Sequence, residues 1–439
     1  DPDKLNATIT RLKEIANKQI GVIELNSALD IDQITEIFIR INSKGKQLNQ
    51  ADFAMSRIAA HEINGGRLLR KAIDYFCHLA TEPSFIKEIE ANDQEFCESD
   101  YLKIIRWQEK ETDNTYDPEY SDVLRVSFMS EFKRGKLADL VNLIAGRDFV
   151  QKTYKEEIAL DSFHRLGNSF KEFANEYNFK QFLLTIKSAG FISEKLINSK
   201  ITLDFAYTLF LLLNKTDIPK PQIKRYVQKW YVLTTLTSRY ISSPESFMDR
   251  DIRGIDDKGF PRFFEEVEAA ELSDSFWSIG LPQNLETSAI NSPWFNVFLA
   301  SQIYFNDMAF LSTSTRICDL ITIMGDIHHV FPKGYLVESG IQERSKYNQV
   351  ANYVYLDTQA NIAIGKNAPK DYIQRVLEQC ETGIPIIGQI TNRKDLEANF
   401  ESNCIPNNLI TMEAKDYEDF LAVRRGLMAK KIKRFYEAL

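Results

Sequence analysis

Two of the five histidines in the chain are adjacent, His328 and His329, in "GDIHHVFPKGYL" (325–336). Asn352 follows in "ANYVYLD", Asn361 nine residues later in "TQANIAIGK", and Lys366 just beyond it. Phosphodiester hydrolysis needs what such a set can supply. A histidine near its ordinary pKa deprotonates water at neutral pH. A divalent cation neutralises charge on the phosphate and on the leaving oxygen. An Asn side chain or a backbone carbonyl holds the imidazole in one orientation.

The elements that must position these groups read as strand, loop, strand, helix over 325–366. "ICDLITIMGDIHHVF" is β-branched and apolar, which predicts a strand that ends at the His pair. "NYVYLDT" predicts a second strand, and "TQANIAIGK" opens a helix. Adjacent side chains of a regular strand point to opposite faces. Both imidazoles can reach one site only where the strand ends or bulges, and Pro332 marks an end. Plainer readings stand beside this one. The pair can be a strand end with one buried and one exposed imidazole, and Asn352 a turn or strand cap. Asn361 can be a solvated helix position, where Asn costs about 0.6 kcal/mol relative to Ala.

The surrounding sequence is helical. Leu5, Ile9, Leu12, Ile15 and Ala16 predict a helix over 3–19, "IGVIEL" a short strand, and Ile34, Ile37, Phe38 and Ile41 a helix over 31–41. "RINSKGKQL" reads as a helix-to-helix turn with Gly45 at positive φ, or as a binding loop. Asn49 is placed to cap the next helix. From 70 to 280 the periodicity predicts about eight to ten helices, with Pro219 and Pro221 punctuating one junction. "WFNVFLASQIYFND" is a further helix, as is the amphipathic C-terminus. The latter contains "RRGLMAKKIKR" (424–434), with six basic residues and no acidic one: a solvated face or a DNA-facing patch. His61, His78 and His164 lie in helical segments without partner motifs and read as structural or surface residues.

At 439 residues the chain has room for two or three domains. Its 44% hydrophobic and 26% charged residues are those of a globular protein. No run of 18 apolar residues predicts a membrane span, and "DPDKLNATIT" is no secretory signal. Lacking an initiator Met, the chain reads as a fragment or a processed protein. Five scattered cysteines without a CxxC pair support neither a zinc knuckle nor a disulfide framework, so a reducing cytoplasm is the expected setting. The net charge of −8 argues against a uniformly basic nucleic-acid coat, but not against a local basic patch.

"HHVFPKGYL" together with "NYVYLDTQANIAIGKNAP" resembles the HNH (ββα-metal) nuclease motif. In particular it is similar to the C-terminal nuclease half of GmrSD-like, modification-dependent (type IV) restriction endonucleases. "IFIRINSKGKQLNQADFAMSRIA" resembles the end of that family's N-terminal ParB/sulfiredoxin-like half. "LRVSFMSEFKRGKLADLVNLIAGRDF" and "WYVLTTLTSRYISSPESFMDRDI" resemble its helical middle. The resemblance implies that His328 and Asn361 bind metal, that His329 is the general base and Asn352 its orienting residue, and that Lys366 contacts a phosphate. It implies Mg²⁺ or Mn²⁺, with Ni²⁺ also admitted, and modified DNA as substrate in a restriction or phage-defence system.

The Asp-Gly-Gln-Gln-Arg stretch that the family ties to nucleotide binding does not occur, which puts the NTP-binding region outside this chain. Arg40, Asn42 and Gly45 receive no role. The fold implied is α+β and predominantly α-helical. It comprises a remnant of the N-terminal domain (1–68), a helical middle domain (69–285) and a ββα-metal nuclease domain (286–439). A non-catalytic DNA- or protein-binding regulatory module on a nuclease scaffold is the competing reading. An RNase or toxin with the same chemistry is a third.

Overall fold

Apolar residues at helical spacing dictate most of the architecture. A computed structural model describes residues 2–15, 17, 18, 22, 24, 37, 49–323, 325 and 327–439. The chain divides into two compact units, Asp1–Asn49 and Gln50–Leu439. In the first, helix α1 spans Pro2–Ile15. The strand expected at "IGVIEL", the helix at 31–41 and the turn with Arg40, Asn42 and Gly45 lie outside the described residues, apart from Val22, Glu24 and Ile37.

In the second unit, α2 (Gln50–Ala60) starts one residue after Asn49. α3 (Gly66–Thr81) buries Leu69, Ala72, Ile73, Phe76 and Leu79, the stripe that a 3.6-residue period puts on one face. Phe76 stands edge-on to Phe170, Phe173 and Phe179 at 5.5–6.2 Å between ring centres. α4 (Tyr120–Phe132) and α5 (Glu156–Phe173) pack together. α6 (Lys200–Leu213) is apolar nearly all round and is sandwiched between α4 and α7 (Lys220–Leu236). Pro219 and Pro221 sit at the start of α7, where a missing N–H costs nothing.

Thirteen α-helices lie between Gly66 and Asn284, more than the periodicity counted. Several, such as Gln94–Cys97 and Asp100–Ile105, are too short to show a period. The helical middle and the C-terminal third share one hydrophobic core. Trp294 on α8 (Pro293–Tyr304) donates its indole N–H to the Leu236 carbonyl at 2.9 Å, and Tyr436 donates to Glu268 at 2.6 Å.

"ICDLITIMGDIHHVF" is not one strand. Its first part, Ile317–Thr322, is a short helix α9, whose buried residues Ile317, Leu320 and Ile321 fall at i, i+3 and i+4. Asp319 accepts the Arg316 N–H at its start, 3.2 Å away. β-Branched composition cannot separate a short buried helix from a strand; the spacing of buried positions does. Only β1 (Ile327–His329) is extended. It pairs antiparallel with β2 (Tyr353–Tyr355), in the register Ile327–Tyr355, His328–Val354, His329–Tyr353. Between them lie α10 (Lys333–Glu338) and α11 (Arg344–Tyr347). After β2 comes α12 (Thr358–Ile364), and the chain ends in α13 (Tyr417–Ala438).

The chain is thus predominantly α-helical, with one two-stranded sheet among the described residues. No described helix is long and apolar enough to cross a membrane. All five cysteines are free thiols.

Candidate active site

The two strands are locked where β1 ends. Asn352 is completely buried. Its side-chain oxygen accepts the Phe331 N–H at 2.8 Å, and its amide nitrogen donates to the carbonyls of Phe331 (3.1 Å) and Tyr347 (3.2 Å). The Asn352 carbonyl accepts the Val330 N–H at 2.8 Å, so pairing runs one residue past the strand. More distant elements hold the same backbone. Tyr372 donates to the Val330 carbonyl at 2.9 Å. On α13, Tyr417 donates to the Lys346 carbonyl at 3.0 Å, and Arg424 to the Ala351 carbonyl at 2.8 Å.

That clamp fixes His329, two residues before Phe331. The imidazole packs edge-on to Tyr353 (5.2 Å) and Tyr347 (6.5 Å). Its Nε2 lies 3.0 Å from Oδ1 of Asn348. With the amide oxygen as acceptor, Nε2 carries the proton and Nδ1 is left with the lone pair. Burial holds the His329 pKa below its ordinary value; the bond to Asn348 opposes this, and the charges of His328 and Lys333 add to it. The ring is therefore neutral at pH 7, the state a general base requires.

The ring's partner corrects the role expected of Asn352. The Asn352 side chain bonds the Phe331 and Tyr347 backbone, and among the described residues none of its hydrogen bonds reaches the imidazole. Asn352 orients His329 only through the chain that carries it; Asn348 orients the ring. Asn348 ends α11 and is half-buried.

His328 pairs opposite Val354 in β1, half-buried. Asn361 lies in α12, also half-buried, and its side chain makes no hydrogen bond to a described residue. Imidazole nitrogen suits Ni²⁺ and its neighbours, and an amide oxygen suits Mg²⁺ or Mn²⁺. A His328 imidazole and an Asn361 amide oxygen would be two types of uncharged donor for such an ion, whose shell water and phosphate oxygens would complete. Among the described residues, no group of three or more His, Cys, Asp or Glu side chains could hold a metal.

Lys366, expected on a phosphate, donates instead to Glu338 on α10 at 2.6 Å, both side chains exposed. The basic stretch of α13 is neither a free patch nor a solvated face throughout. Arg424 is buried, with bonds to the Ala351 and Asn403 carbonyls, and burial without a carboxylate partner depresses its pKa to about 10. Lys431 is buried against Asp307 at 2.5 Å, and Arg425 lies 3.5 Å from Glu286. Only Lys430 and Arg434 are exposed, one turn apart.

The remaining histidines stay outside the site. His61 packs on Phe163, His78 stacks on Phe85 at 3.7 Å, and His164 lies 3.4 Å from Asn168.

Sequence spacing missed Asn348, and with it Lys333 and Arg344, which flank the same rings. Lys333 belongs to the "HHVFPKGYL" string itself. Asn348 sits only four residues before Asn352 and carries no motif of its own. Searched against protein families, curated proteins and solved structures, the chain matches none.

Proposed function

We propose that the chain is a metal-dependent phosphodiester hydrolase, a DNA endonuclease of the modification-dependent restriction kind that its motifs resemble. The observation that carries this reading is the state of His329. It is a neutral imidazole at a strand end, held through Nε2 by Asn348, with Nδ1 left as the proton acceptor. The order β1, β2, α12, with His328, His329, Asn352 and Asn361 along it, supports a ββα-metal reading of the region.

In the mechanism His329 Nδ1 takes a proton from water as the water oxygen bonds to phosphorus. The bond from phosphorus to the leaving oxygen then breaks, and solvent protonates that oxygen. Asn348 keeps the Nε2 proton in place, so the acceptor lone pair stays on the reacting side. Asn352 and Arg424 hold the backbone that carries the base. His328 and Asn361 would hold a divalent cation, which when bound would supply positive charge for the phosphate and leaving oxygens.

The test is plasmid nicking with Mg²⁺, Mn²⁺ and Ni²⁺, on modified and unmodified DNA. His329→Ala abolishes nicking while keeping a cooperative melt. Unchanged nicking by that variant overturns the assignment.

A further inference from the structure

The phosphate-binding cation expected at Lys366 arrives with its own counter-charge. Its ammonium is on Glu338, and its aliphatic stem lies against Gly334, where a Cβ would come within 2.7 Å of it. An anion approaching Lys366 meets a pair of zero net charge.

A different cation lies over a ring that packs on His329. Lys333 opens α10, two residues past the Phe331 backbone that Asn352 clamps. Its ammonium sits over the Tyr347 ring, 5.3 Å from the centre. His329 packs edge-on to the same ring, 6.5 Å between centres. Arg344, on α11, carries a charge that acts on Tyr353, whose ring also packs against His329. Lys333 and Arg344 are both exposed and form no ion pair with a described residue. The acidic side chains of the same two helices are engaged elsewhere, Glu338 with Lys366 and Glu343 with Lys346 at 3.0 Å.

We infer that Lys333, with Arg344 beside it, holds a non-bridging oxygen of the substrate phosphate next to His329. The inference rests on the phosphodiesterase reading of His329. An ammonium on a flexible stem is a point-charge donor suited to phosphate. Its contact with Tyr347 is worth only about 0.5–1 kcal/mol at an exposed site, so it is released cheaply to a ligand. The clamped Phe331 and the fixed φ of Pro332 aim the start of the stem.

The experiment measures binding of a short synthetic DNA duplex as a function of salt, in the non-cleaving His329→Ala background, with nicking followed in parallel in the His329 protein. Lys333→Gln should weaken binding and make the slope of log K against log[salt] shallower by about 0.9, the value for one lost phosphate contact. Lys333→Arg should restore the slope, and Lys366→Gln should leave it unchanged. A slope unaffected by Lys333→Gln, or one lost in Lys366→Gln instead, overturns the inference and leaves the base assignment standing if His329→Ala has abolished nicking. Nicking that survives His329→Ala overturns the base assignment. Absence of binding by every protein overturns the role of Lys333.

Discussion

Asn352 just before the second strand and Phe331 just past the first are joined by two opposed hydrogen bonds, 2.8 and 3.1 Å, between one side chain and both polar atoms of one residue's backbone. A residue expected to steer an imidazole is thus a clamp between two segments of chain. The distinction has measurable consequences.

Asn352→Ala leaves the buried Phe331 N–H and carbonyl without their partner, whereas the Tyr347 carbonyl keeps the Tyr417 hydroxyl. At about 1–3 kcal/mol for each of these two groups left unsatisfied, the variant should lose roughly 2–6 kcal/mol. Urea denaturation reads this as a lower midpoint at unchanged slope. A direct contact to the ring would instead lower activity at constant stability.

Asn348→Ala should behave in the opposite way. Asn348 is half-buried and, among the described residues, its side chain bonds only the His329 ring, so the melting temperature should move little. Turnover should fall roughly ten- to a hundred-fold, the usual cost of losing the partner that orients a functional histidine, with KM nearly constant. The ¹⁵N shifts of the His329 ring should report a single Nε2–H tautomer in the parent protein and a mixture in the variant. A single tautomer retained in the variant would remove Asn348 from this role.

Arg424 tests whether the basic stretch of α13 is structural at its buried end. Arg424→Ala removes the donors to the Ala351 and Asn403 carbonyls and should cost about 3–5 kcal/mol. Lys430→Ala, on the exposed side, should stay within about 0.5 kcal/mol. Equal melting temperatures for the two variants would contradict the burial of Arg424.

A buried charge cluster in the helical region predicts a pH dependence. Arg125 lies 2.7 Å from Asp204 and 3.2 Å from Asp122. Burial, with Asp122 beside it, outweighs the guanidinium and raises the Asp204 pKa from 3.8 to about 8. The unfolded chain releases this proton near the ordinary value and the folded chain only near the raised one. The stabilisation is complete below about pH 4 and is lost as pH rises towards 8. Asp204→Asn cannot titrate, so its stability should lack this decline, as paired thermal melts across pH 4–9 would reveal. Parallel curves for the two proteins would refute it.

The predominantly helical character, the strand at the His pair, the strand at "NYVYLDT" and the helix after it were all legible in the sequence. Each depends on local periodicity and on turn residues such as Pro332. The extent of β1 was not legible, because Ile317–Ile321 satisfies a strand by composition and a helix by spacing. The choice falls to the core that buries Ile317, Leu320 and Ile321.

The sequence alone determined that His328 and His329 end a strand and that Asn361 follows on the helix after the next strand; Asn352 falls in the turn just before that strand rather than in it. Only the tertiary structure decided which side chains meet. The chain between Pro332 and Asn352 folds back through α10 and α11, so Asn348 rather than Asn352 bonds the imidazole, Lys333 lies over the Tyr347 ring that packs on it, and Lys366 pairs with Glu338. It also turned Arg424 inward to hold Ala351. Local spacing fixes which residues share an element. The partners of a polar group are set by the path of distant segments, since a buried polar group binds whatever donor or acceptor the packed core brings within about 3 Å.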